Sequence, residues 1–108
     1  MAKIKQAELK SNRRLSSKVS FAIIKKMRGT LPKEIEPETR LFGVALETAI
    51  FDISSRLVPL RRAAWHFLFN SSEDFSRVCD LAGYDPDYIL RLVNTATEYE
   101  DSKEVEAA

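Results

Sequence analysis

Residues 75–94 read FSRVCDLAGYDPDYILRLVN, and this stretch dictates two helices meeting at a tight turn. Val78, Cys79 and Ala82 form a small, apolar face on the first helix. Gly83 stands where that helix must stop, because the left-handed residue past a last turn costs glycine least. Asp85 is placed to cap the next helix through its carboxylate, and Pro86 falls at the first helical position, where a missing N–H is no loss. Ile89 and Leu92 then face back toward Val78, Ala82 and Tyr84.

A small residue at Cys79, glycine four later, an apolar residue after it, then Ile89 and Leu92 is the spacing of a helix-turn-helix. The segment Gly83-Tyr84-Asp85-Pro86-Asp87-Tyr88-Ile89-Leu90-Arg91 resembles the turn and recognition-helix start of helix-turn-helix DNA-binding domains. An ordinary helical hairpin with glycine and Asp-Pro at its corner satisfies the same pattern. The resemblance implies that the second helix offers Tyr88, Arg91, Asn94 and Thr95 to DNA, with Leu90 also outward and Arg77 on the preceding helix nearby. Asp85 and Asp87 share that helix start, and carboxylates facing phosphates are unfavourable.

Outward from this corner, the chain of 108 residues suffices for one domain with tails. With 44% apolar and 31% charged residues it reads as a globular protein. A single cysteine excludes an internal disulfide. No apolar run approaches the roughly 20 residues of a membrane span, and the basic N-terminus lacks a signal peptide's apolar core. A soluble, cytoplasmic protein without a membrane partner is the expectation.

The net charge of +1 conceals a division. Residues 1–33 hold ten Lys/Arg against Glu8 alone, whereas residues 34–108 hold seven basic and fifteen acidic side chains. Such asymmetry suggests that one end meets a polyanion. Lys3, Lys5, Lys10, Arg13, Arg14, Lys18, Lys25, Lys26 and Arg28 are therefore the candidate phosphate contacts.

Residues 1–13 show no periodicity and read as an arm. From residue 15 to 28, Leu15, Val19, Ala22, Ile23 and Met27 share one helical stripe, which could also pair two copies of the chain. TLPKEIEPE at 30–38 reads as a linker. A helix is predicted over 39–57, with Leu41, Phe42, Ala45, Leu46, Ala49, Ile50, Ile53 and Leu57 inward. A short helix over 60–69 turns Leu60, Ala64, Phe67 and Leu68 inward, with Trp65 and Phe69 at the core's edge. Ser71 with Asp74, or Ser72 alone, can cap the next helix. The last helix is predicted from Pro86 to about Glu98. The expected architecture is all-α: a basic arm, helix and linker over 1–38, a four-helix bundle containing the helix-turn-helix over 39–99, and an acidic tail over 100–108.

An enzyme is hard to build from these residues. His66 and Cys79 are each the sole residue of their type, so a site of Cys and His alone cannot be completed within the chain. The three glycines are isolated and form no phosphate loop. Cys79 reads as packing, His66 as surface or core edge, and Glu73, Asp74, Asp80, Asp85 and Asp87 as caps and first-turn carboxylates. No cofactor is expected. The leading expectation is a small transcription regulator that binds double-stranded DNA, its arm gripping the backbone. The tail-plus-bundle layout also resembles small proteins of phages, including DNA-packaging small terminase subunits, although those carry their helix-turn-helix near the N-terminus. The rival is an adaptor that docks a larger machine such as RNA polymerase, through Tyr88, Leu90 and the stripe of helix 15–28.

Overall fold

Five helices are formed by residues 13–107, the residues described by a computed structural model. They are α1 (Ser17–Arg28), α2 (Pro37–Asp52), α3 (Val58–Asn70), α4 (Ser72–Ala82) and α5 (Pro86–Ala107). No strand occurs among the described residues. The predicted all-α class and the order of the helices hold.

The corner between α4 and α5 forms as its residues require. Gly83 has φ 82° and ψ 21°, the left-handed region. Its N–H reaches the Asp80 carbonyl at 3.2 Å, while the Tyr84 N–H reaches Cys79 at 2.9 Å. Together these make a Schellman closure of α4. Asp85 Oδ1 accepts from the Asp87 N–H at 3.0 Å, and Pro86 begins α5. The two helices are thus joined by three residues.

Elsewhere the boundaries and faces shift. Helix α2 starts at Pro37, where proline suits a first turn, and stops at Asp52 rather than Leu57. Of its expected inward residues Leu46, Ile50 and Ile53 are buried, but Leu41 is 70% and Leu57 63% exposed. Gly43, beside the Tyr84 ring, takes a buried place instead. Apolar residues run nearly around this helix, so periodicity could not select the face that meets α4. In α3, Trp65 is a central core residue and not an edge one, whereas Leu60 is exposed. Ser71 precedes α4 without a side-chain cap bond, and Ser72 is already helical, so neither expected cap is made. In α5 the core stripe is Ile89, Val93 and Thr97, spaced by four; Leu92 is only partly buried.

Two corrections concern the ends. The segment predicted as an acidic tail is helical through Ala107. It contains no glycine or proline to break α5. Helix α1 also belongs to the bundle: Leu15, Ile23, Ile24 and Met27 share one hydrophobic cluster with Leu46, Trp65, Phe75 and Ile89. The core therefore runs across residue 38. Leu15, Ile23 and Met27 of the stripe in helix 15–28 face their own core, while Val19 and Ala22 border an open groove. Ala22, expected inward, is exposed.

A polar seam fixes α1 on α2. Ser20 is fully buried, its Oγ donating to the Ile50 carbonyl at 3.0 Å and meeting Ser54 Oγ. Ser54 Oγ in turn bonds the Ser16 carbonyl at 3.0 Å. Buried hydroxyls with partners escape the cost of lost hydration. Arg14 Nε donates to the Ser54 carbonyl at 2.8 Å, and Trp65 Nε1 donates to the Arg13 carbonyl at 2.8 Å.

Candidate nucleic-acid interface

Helix α1 also lies along α5. At one end Arg13 pairs with Asp101 at 2.7 Å, and the Ser16 N–H reaches Glu100 Oε1 at 3.3 Å. At the other end Lys26 of α1 lies with Tyr88 and Arg91 of α5, so the two helices run antiparallel. Between them is an open groove of about 570 Å³. Its floor and walls are Val19, Ala22, Ile23, Leu92 and Ala96, and Thr95 and Tyr99 complete the α5 side.

This arrangement brings together candidates from two distant parts of the sequence. Tyr88, Arg91 and Thr95 of the second helix share the groove with Lys26 of the basic segment. Lys18 and Lys25 are exposed elsewhere on α1, which carries no acidic residue. Two cations, Lys26 and Arg91, thus stand on the groove itself. Helix α1 ends with Lys25, Lys26 and Arg28, where its dipole favours positive charge.

Other candidates lie apart from this face. Arg13 and Arg14 tie the segment before α1 into the fold, as their bonds to Asp101 and Ser54 show. Arg28 is paired with Glu47, whose hydrogen bond and charge push the guanidinium pKa further up. Arg77 borders a shallow depression with Glu73 and Asp80 on α4. Asn94 is half-buried, and Leu90, expected outward, packs partly against the core. Lys3, Lys5 and Lys10 lie outside the described residues.

The remaining reactive groups offer little chemistry. Cys79 is fully buried, and burial, reinforced by the charges of Asp80 and Asp85, pushes its thiol up to about 12. A thiol so placed is a poor nucleophile. His66 is exposed, with Asn70 Nδ2 3.4 Å from its Nδ1. Among the described residues no cluster of His, Cys, Asp or Glu could hold a metal ion. No helix among them is long and apolar enough to cross a membrane.

Lys26 was a candidate from the basic helix 15–28, but its place beside α5 was not evident, since nothing local to residues 15–28 reveals that they border α5. Compared with known proteins, the chain matches no family model, no curated protein and no solved structure.

Proposed function

We propose that this protein binds double-stranded DNA as a small helix-turn-helix regulator, presenting the face that α1 and α5 share. The observation that carries this reading is the convergence of Lys26 with Arg91, Tyr88 and Thr95 on one groove. In this reading Lys26 neutralises a phosphate, and such a contact supplies affinity without sequence preference. Arg91 is the side chain suited to a guanine edge, since a guanidinium donates two parallel hydrogen bonds to O6 and N7. The carboxylates of Asp85 and Asp87, both exposed at the start of α5, repel phosphates and limit how deeply that end can enter a groove.

The test is fluorescence anisotropy with labelled duplexes over a range of salt. Lys26→Ala should weaken binding to every sequence alike and reduce the slope of log K against log salt by about 0.9. Arg91→Ala should cost about 1–3 kcal/mol on a preferred site and relax preference at one or two base pairs. Unchanged DNA affinity in both variants defeats the proposal.

A second reading is favoured by the groove's apolar walls. Val19, Ala22, Leu92 and Ala96 form a lining suited to apolar side chains of a partner helix, as an adaptor docking a larger machine would require. Leu92→Asp should abolish such docking while leaving the DNA affinity set by Lys26 and Arg91 largely in place.

A further inference from the structure

Helix α2 turns one face inward through Gly43, Leu46 and Ile50, and leaves another without a partner. Leu41, Val44, Thr48 and Phe51 recur at three and four residues, which places them on one outward stripe. Leu41 is 70%, Val44 49% and Phe51 40% exposed. Phe21 of α1, 62% exposed, extends the stripe by packing edge-on against Phe51 with ring centroids 5.3 Å apart. The one hydroxyl on it, Thr48 Oγ1, already donates to the Val44 carbonyl at 2.8 Å. Its polar demand is met within the helix. Contiguous exposed apolar surface of this kind marks an interaction site.

The charges at its two ends indicate what covers it. Helix α1 runs antiparallel to α2, with Ser16 bonded to Ser54 and Ser20 to Ile50. Lys18, three before Phe21, therefore stands at the Phe51 end, whereas Lys25, four after it, lies toward the Arg28–Glu47 pair. Glu38 continues the stripe one turn before Leu41, and Glu34 and Glu36 precede it, all three exposed. Lys33 is exposed at this acidic end too, while Arg40 is turned toward Tyr84 and Glu47. Asp52, next to Phe51, is half-buried, so one end of the stripe presents the exposed Lys18 and the other is net acidic. A surface of that kind complements itself when a second copy is turned end for end.

We infer that the protein forms a two-fold dimer through this stripe, with α2 antiparallel to α2 of the second copy and Lys18 of each facing Glu38 of the other. An isologous contact of this kind repeats every favourable pair twice. The inference stands apart from DNA binding, because the α1–α5 groove lies on different residues.

Sedimentation velocity on the full chain tests it. The wild-type protein should be dimeric at micromolar concentration. Leu41→Asp combined with Val44→Asp should weaken the dimer by at least about 30-fold, as loss of interface anchors does, with helical circular dichroism unchanged. Lys18→Glu alone and Glu38→Lys alone should each weaken it, and the two together should restore it. A monomeric wild type, a dimer indifferent to the Leu41/Val44 change, or failure of the double reversal to restore pairing would overturn the inference. So would a dimer broken by Leu92→Asp in the groove but not by the Leu41/Val44 change.

Discussion

The corner at 79–89 and the segment at 13–20 both fix how helices meet, by opposite means. At the corner every bond spans at most five residues: Gly83 to Asp80, Tyr84 to Cys79, Asp87 to Asp85. In the other segment Trp65 bonds Arg13 across 52 positions, Ser20 bonds Ile50 across 30, and Ser16 bonds Glu100 across 84. A local corner sets direction and closes cheaply. A long-range seam sets position, and forms only when the helices it joins are already assembled.

The largest break in this contrast is expected at Trp65. It is fully buried, stacked on Phe69 at 5.5 Å, and holds the Arg13 carbonyl. Trp65→Ala should cost about 3–5 kcal/mol by chemical denaturation. It should also raise hydrogen exchange in α1 more than at Gly83–Asp85. Equal loosening of both regions would contradict the distinction drawn between them.

At the corner smaller costs are expected. Gly83→Val places a β-branched residue at φ 82° and should cost about 1–2 kcal/mol. Asp85→Ala removes one cap bond and should cost about 1 kcal/mol. Neither should detach α1. At the far end of the seam, Asp101→Asn removes a partly exposed ion pair with Arg13 and should cost less than about 1 kcal/mol. A larger loss would make that pair a pillar of the seam.

The last effect vanishes near neutrality. Burial in the folded chain pushes the Cys79 thiol up to about 12, against 9.0 for an unperturbed thiol. The unfolded chain therefore loses this proton first, so the contribution is intact below pH 9.0 and declines as pH rises toward 12. Burial raises the Tyr84 pKa as well and acts in the same direction. Denaturation at pH 8 and in the alkaline range should thus show a steeper decline for wild type than for Cys79→Ala. Parallel declines would mean that the thiol is not held protonated by the fold.

The legible parts of the fold were those written in short-range chemistry. Gly83, Asp85 and Pro86 could be placed from residue type alone, because backbone sterics and capping depend on neighbours. Trp65, Ser20 and Ser54 could not, since a buried serine looks like any surface serine until its partner thirty residues away is known. Helix α2 shows the same limit: with Leu41, Phe42, Leu46 and Ile50 all apolar, only the docking of α4 decides which are covered. In the candidate site, Tyr88, Arg91 and Thr95 followed from the corner, while their meeting with Lys26 depends on the antiparallel run of α1 along α5. The chain's charge asymmetry was plain. That Arg13, Arg14 and Arg28 are engaged within the fold was not.

The contact between Ser16 and Glu100, with Arg13 on Asp101 beside it, has a consequence for synthesis. A ribosome adding about 5–20 residues per second releases α1 several seconds before the residues that anchor it. During that interval Ile23, Ile24 and Met27 have no complete core to enter, and the basic helix waits with its apolar face uncovered. The α4–α5 corner has no such delay, as its partners emerge together. Helix α1, made before its anchors, is thus among the last of the described helices to be locked.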